Sequence, residues 1–316
     1  MPVLQGIPWE MNKVDRSVAP KETPPFRLPT EKEFVDGLQP GSLYLVATPI
    51  GNLGDISLRA LQVLTLADVV AAEDTRRTGQ LLAAYGLKKP MISCFAHNEA
   101  RQGQRILELI REGKTVAVVS DAGMPGINDP GARLVKLAIE VGAGITVVPG
   151  ATAGLVALAG SGLDTGAFAY CGFFPRRGVD RTSWLERFGD FAGTLVFFES
   201  PKRLVATLLG IQEAWGNRNC CVAKELTKRH ETYIRGSLEE VLLALGDMGD
   251  IKGEITVVME GYRGRPGGTR PADEVAEMGK VLLAAGLGKK EASRRLAKWT
   301  GMSAKYCYGV LIEISG

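Results

Sequence analysis

From Leu43 to Val148 the chain alternates short apolar runs with amphipathic segments, and this alternation restricts the fold more than any other feature. The runs Leu43-Tyr44-Leu45-Val46-Ala47, Asp68–Ala72, Met91–Phe95, Thr115–Val119 and Ile145–Val148 read as five strands. Helical patterns at Leu58–Leu66, Thr75–Tyr85, Glu99–Arg111 and Ala132–Ile139 separate them. Continuous apolar strands alternating with helices predict a largely parallel sheet covered on both faces. Such a sheet places its ligands in the loops at the carboxyl ends of its strands.

The loop after the fourth run, Ser120-Asp121-Ala122-Gly123-Met124-Pro125-Gly126-Ile127-Asn128-Asp129-Pro130-Gly131, fits that position. Its glycines and prolines open the turn, while Ser120, Asp121, Asn128 and Asp129 supply groups that can fix a small polar ligand. Thr48-Pro49-Ile50-Gly51-Asn52-Leu53-Gly54-Asp55 follows the first strand, and Glu73-Asp74-Thr75-Arg76-Arg77-Thr78 follows the second. Both leave a local alternative open, a plain turn for the one and an Asp74 or Thr75 helix cap for the other. Asn98, in His97-Asn98-Glu99 after the third strand, is either a helix cap or a ligand group. No Gly-x-Gly-x-x-Gly fingerprint and no phosphate-binding Gly-x-x-x-x-Gly-Lys-Ser/Thr loop occurs.

With 316 residues the chain has room for two domains. We expect an extension over 1–40, an N-terminal α/β domain over 41–149, a C-terminal α/β domain with a mixed sheet over 150–262 and a helical appendage over 270–316. In the second domain Phe168–Phe174, Thr194–Phe198, Cys220–Leu226 and Glu254–Met259 read as strands, with Glu231–Arg235 antiparallel to the third. Charged clusters mark their ends: Glu199-Ser200-Pro201-Lys202-Arg203, where the proline opens a helix, Lys224-Glu225-Leu226-Thr227-Lys228, and Lys252-Gly253-Glu254. Each is a solvated strand end or part of a site. The appendage reads as three short helices, either simple packing or a helix-turn-helix.

The net charge of +3 is too mild to imply nucleic-acid binding, although basic residues gather in the second half. The five cysteines form no Cys-x-x-Cys pair and read as small core residues of a cytoplasmic protein. Neither His97 nor His230 has a partner at metal-ligand spacing, so no metal is expected. No apolar run is long enough to span a bilayer, and the N-terminus carries no secretory core.

Seven segments in order resemble the tetrapyrrole methylase superfamily and, more narrowly, its ribosomal RNA small subunit methyltransferase I branch. They are 45–55, 73–78, 97–99, 120–131, 148–151, 199–204 and 224–228. The resemblance implies two α/β domains with S-adenosylmethionine in the cleft between them, and a homodimer. It implies methyl transfer to the ribose 2′-oxygen of a cytidine in the decoding region of 16S rRNA, within the 30S subunit. On that reading Pro49, Gly51, Ser120, Asp121, Gly123, Pro125, Ala151 and Thr152 hold the cofactor. Glu199, Lys224 and Glu225 are the catalytic candidates, and Arg76, Arg77, Arg203 and Lys228 contact RNA. The family more often has arginine where Lys224 stands. Two alternatives are methylation of a tetrapyrrole or corrinoid ring, and an RNA- or nucleotide-binding module without catalysis.

Overall fold

A computed structural model describes residues 37–95, 98–129, 131–263, 272–300, 302 and 304–315. Most of the 1–40 extension, His97 and much of the linker before the appendage lie outside the described residues. The chain divides into two compact units: one runs through Thr48 and resumes at Ile56–Gly150, and the other takes Pro49–Asp55 and the chain from Ala151.

The first unit has a wholly parallel sheet of β1 (Ser42–Val46), β2 (Val69–Ala72), β3 (Met91–Ser93), β4 (Val116–Val119) and β5 (Gly144–Val148), in the order β3-β2-β4-β1-β5. The crossovers are α1 (Leu58–Leu66), α2 (Thr75–Ala84), α3 (Glu99–Arg111) and α4 (Ala132–Glu140). Alternate strand residues point to opposite faces, and both faces are apolar, which gives two core layers. Leu43, Leu45, Val116 and Val118 pack with Ile106, Leu107 and Leu134. Tyr44, Val46, Ala117 and Val119 pack with Val63, Leu64 and Leu82. The inner strands β2, β4 and β1 are therefore buried on both sides, as the apolar runs predict, while the edge strand β5 leaves Val147 exposed. The third strand stops at Ser93, earlier than the apolar run suggests, because Asn98 pulls the chain off the ladder. Its Oδ1 accepts from the Phe95 amide at 2.8 Å and its Nδ2 donates to the Ser93 carbonyl at 3.0 Å. Asn98 thus ties the strand end and makes no side-chain cap on α3.

The second unit has a mixed sheet of β6 (Phe168–Phe173), β7 (Thr194–Glu199), β8 (Asn219–Lys224), β9 (Thr232–Ser237) and β10 (Ile255–Met259), in the order β6-β7-β10-β8-β9. Only β6 and β7 pair in parallel, and β9 runs antiparallel to β8 as expected. Its helices include α5 (Ala153–Ser161), α6 (Gly178–Gly189), α7 (Leu204–Trp215) and α8 (Leu238–Asp247), the last opened by a Ser237–Glu240 capping box. Phe174, Trp184, Phe197, Leu204, Leu208 and Ile211 fill one face, with Trp215 stacked on Trp184 at 5.4 Å between ring centroids. Helix α7 begins at Leu204, so Pro201–Arg203 form a turn before it instead of its first helical residues. Helices α9 (Ala272–Ala284), α10 (Lys289–Thr300) and α11 (Ala304–Glu313) bury Val275, Ala292, Leu296, Cys307 and Leu311 in a core of their own. Among the described residues no helix is long and apolar enough to cross a membrane.

Replacing fully buried Phe197 by alanine should cost about 4 kcal/mol of unfolding free energy in urea. Leu243→Ala, at a position 72% exposed, should stay within about 0.5 kcal/mol. Equal costs would contradict this assignment of the core.

Candidate active site

In the first unit the connection from β1 leads across β4 toward β2, whereas that from β4 leads across β1 toward β5. The two strands are neighbours with opposite exits, the arrangement that opens a ligand crevice in parallel sheets. Their loops are tied by a two-way backbone pair. The Thr48 amide donates to the Gly123 carbonyl at 2.9 Å, and the Gly123 amide donates to the Thr48 carbonyl at 3.1 Å. Thr48 Oγ1 adds a bond to the Ser120 carbonyl at 3.1 Å. Ser120 is buried, and its hydroxyl donates to the Gly123 carbonyl at 3.3 Å, so it shapes the turn from inside. Gly123 (φ +84°) and Gly126 (φ +83°) occupy the left-handed region that favours glycine. Pro125 lies buried between them.

Carboxylates crowd this loop. The Asp121 amide donates to Glu73 Oε2 at 3.2 Å, and Asp121 Oδ1 accepts from the Asp74 amide at 3.0 Å. Asp74 is also the N-cap of α2, and hydrogen bonds from the Arg76 side chain and amide hold its carboxyl far below the usual range. Asp129 shifts the other way. Burial first, then the charges of Glu73 and Asp121, push its carboxyl up to about 6. A site that resists one more negative charge suits a cationic ligand. Arg76 pairs with Asp74 at 2.7 Å and Arg77 with Asp121 at 3.3 Å; their side chains are 87% and 67% exposed.

In the second unit the strand register gathers the charged clusters. Ile255 of β10 pairs with Glu199 on β7 and with Lys224 on β8, so both charged residues lie in one row and project to the same face. Two strand spacings, roughly 9.6 Å, separate their backbones. The Glu199 carboxylate is wholly buried. Its Oε2 accepts from Thr207 Oγ1 at 2.6 Å, while Oε1 meets the Ser200 amide and the Arg203 guanidinium, each at 2.5 Å. Arg203 also reaches Ser200 Oγ and the Pro175 carbonyl. Lys224 is half-buried and forms no ion pair with a described residue.

After Lys224 the strand breaks. Glu225 (φ +54°) and Thr227 (φ +61°) both take left-handed backbone, a strained choice for a β-branched threonine. Lys228 Nζ bridges Glu225 at 2.9 Å and Glu254 at 3.1 Å, and the Glu254 amide donates to Glu225 Oε1 at 2.9 Å. The Lys228 bond, then the Glu254 amide, hold the Glu225 carboxyl below its ordinary value. Burial pulls the Lys228 ammonium down, but its carboxylate partners outweigh this and keep it above its usual range. Gly51 sits against this turn: a Cβ there would lie 2.8 Å from the Leu226 carbonyl oxygen and 2.9 Å from Thr227 Oγ1. Pro49 and Gly51 therefore group with the second unit, apart from the unit that holds Ser120, Asp121, Gly123 and Pro125. Ala151 and Thr152 precede α5, where Thr152 stands at the N-cap without a side-chain capping bond.

Glu73 becomes a partner of Asp121, and Glu254 of Glu225, only through pairing of distant segments, whereas Thr207 reaches Glu199 from eight residues along the chain. Among the described residues no group of three His, Cys, Asp or Glu could hold a metal. Burial pushes the Cys220 thiol up to about 12 and Cys171 and Cys221 to about 11, so none of the three is a ready nucleophile.

The profile of the Tetrapyrrole (Corrin/Porphyrin) Methylases matches residues 42–242. The chain is 38% identical over 288 residues to Ribosomal RNA small subunit methyltransferase I of Halalkalibacterium halodurans, covering 89% of this chain and 98% of that one. It is 44% identical over 221 residues to the protein of the same name from Thermotoga maritima, covering 70% of this chain and 99% of that one. The fold is also similar to the crystal structure of uroporphyrin-III C-methyltransferase from Thermus thermophilus complexed with S-adenosyl homocysteine. That likeness has a TM-score of 0.50 at 21% identity, over 69% of this chain and 96% of that one.

Two outcomes test this geometry. Gly51→Ala should cost about 1–3 kcal/mol in urea unfolding, because backbone bounds the space its methyl needs; an unchanged midpoint would contradict the contact. Between about pH 4 and 6 the folded chain keeps a proton on Asp129 that the unfolded chain has released, so stability falls as pH rises through that window. Subtracting the Asp129→Asn stability profile from that of the wild type isolates this slope, and a flat difference would remove the shift.

Proposed function

The chain belongs to the ribosomal RNA small subunit methyltransferase I family of the tetrapyrrole methylases, and we propose that it methylates the ribose 2′-hydroxyl of a cytidine in the decoding region of 16S rRNA. On this reading S-adenosylmethionine is the donor, the 30S subunit the substrate, and a cytoplasmic homodimer the working form. The observation that carries the reading is identity sustained over nearly the whole length of named rRNA methyltransferases.

The donor supplies an activated methyl group on a sulfonium, which leaves as a neutral thioether. The chain's own part is alignment and charge, and alignment alone is worth several kcal/mol of barrier. Asp121, Glu73 and Asp129 set a negative field that favours a cationic ligand, while Gly123 and Pro125 keep the loop open. Ser120 shapes that loop; Pro49, Gly51, Ala151 and Thr152 complete the proposed cofactor set. In the second unit Glu199 and Glu225 are already committed to Arg203 and Lys228, so we assign them positioning roles. Lys224 keeps a cationic head without an ion-pair partner among the described residues. It is the residue we place beside the 2′-oxygen, where it stabilises negative charge as the hydroxyl proton passes to solvent water. Arg76 and Arg77, the most exposed of the basic candidates, contact RNA phosphates. Arg203 and Lys228, each already paired with a carboxylate, are the further candidates for phosphate contact.

Unmodified 30S particles incubated with methyl-labelled S-adenosylmethionine should take up label on a ribose oxygen, mapped by nuclease digestion and mass spectrometry. Label on a base contradicts the assignment, and cofactor binding without transfer reduces the protein to a binding module. Cofactor affinity should rise between about pH 5 and 7, because a cationic ligand favours ionised Asp129. The Asp129→Asn variant should bind with a flatter profile in calorimetry.

A further inference from the structure

Helices α9–α11 lie outside the matched family region, which ends at residue 242. The Thermotoga maritima relative is covered almost completely by an alignment that leaves about a third of this chain without a counterpart. The three helices bury their own core of Val275, Ala292, Leu296, Cys307 and Leu311. The core takes one side of α10, through Ala292, Ser293 and Leu296, and leaves Lys289, Lys290, Arg294 and Arg295 exposed. From Gly288 to Ile312 the sequence holds six basic side chains and one acidic, Glu291. That local excess is larger than the +3 of the entire chain. Glu291 pairs with Arg295 at 3.3 Å and Arg294 at 3.9 Å, whereas Lys289 and Lys290 form no ion pair with a described residue. A three-residue connection leads from Thr300 to α11, whose first turns expose Lys305 and, three residues on, Tyr308.

We infer that the basic face of α10, with Lys305 and Tyr308 at the start of α11, is a second RNA-binding surface that grips ribosomal RNA phosphates. The occupant is argued from charge: a concentrated, largely uncompensated cationic face complements a polyanion. Tyr308 adds a ring on which an unpaired base stacks, a contact typical of RNA recognition. The inference rests on the rRNA reading for its partner but takes no part in methyl transfer. Its work is to hold the particle, lowering KM while leaving kcat to residues elsewhere in the chain.

The test uses full-length protein carrying K289Q, K290Q, R294Q and R295Q together, exposed changes to a good helix former. Filter binding to 30S particles and to free 16S rRNA is measured between about 50 and 200 mM salt. Kd for both should rise on the order of tenfold, and the slope of log affinity on log salt should become shallower by about 3. KM for 30S should rise with kcat unchanged. If the quadruple variant loses its circular-dichroism helicity, K289Q/K290Q alone should give about half the change in slope. Unchanged affinity and slope overturn the inference. Weaker 30S binding with unaltered 16S rRNA binding also overturns it, because the face then docks on protein. If wild-type protein transfers no methyl group, the rRNA-methyltransferase reading fails, while the binding comparison still judges this surface on its own terms.

Discussion

The reciprocal hydrogen bonds between Thr48 and Gly123 fix the geometry on which the acidic loop cluster of the first unit depends. They join the ends of two adjacent parallel strands whose connections leave in opposite directions, an arrangement that opens a crevice at the carboxyl ends of the strands. Gly123 can turn back to Thr48 because it accepts φ +84°, and Thr48 Oγ1 and Ser120 Oγ complete the turn from its buried side. Once these bonds form, Asp121 is held where its amide and carboxylate engage Glu73 and the Asp74 amide. Two sequence segments almost fifty residues apart thereby become one acidic loop cluster.

The two units differ in electrostatic character at these positions. The first collects carboxylates until one of them, Asp129, is pushed up to about 6 by burial and its neighbours. The second arranges pairs at its strand ends: Glu199 with Arg203, and Glu225 and Glu254 with Lys228. Lys224 stands in the same register row as Glu199 and is left without an ion pair among the described residues. A negative field suits a sulfonium donor, and an uncommitted cation suits an oxygen that is losing its proton.

The parallel sheet was legible because both of its faces are apolar, which makes Leu43–Ala47 and Thr115–Val119 continuous hydrophobic runs. The appendage was legible from helical periodicity and from the glycines between its helices. Strand ends were less so. Lys224-Glu225-Leu226 looks extendable in sequence, but Glu225 turns left-handed to meet Lys228 and the Glu254 amide, a constraint from a segment nearly thirty residues away. Likewise Pro201 reads as a helix opener, yet the Glu199–Arg203 pair holds the chain in a turn until Leu204. The candidate residues were readable as polar groups at strand ends. What local pattern cannot convey is commitment, which candidates are already bonded and which remain available.

That distinction is the central claim, and calorimetry paired with single-turnover kinetics tests it most directly. Thr48→Val removes the hydroxyl that locks the acidic loop, so it should weaken S-adenosylmethionine binding several-fold. Lys224→Gln should leave cofactor affinity unchanged while slowing methyl transfer on the order of a hundredfold. If Lys224→Gln weakens cofactor binding as much as it slows transfer, or if it transfers at the wild-type rate, the division of labour described here is wrong.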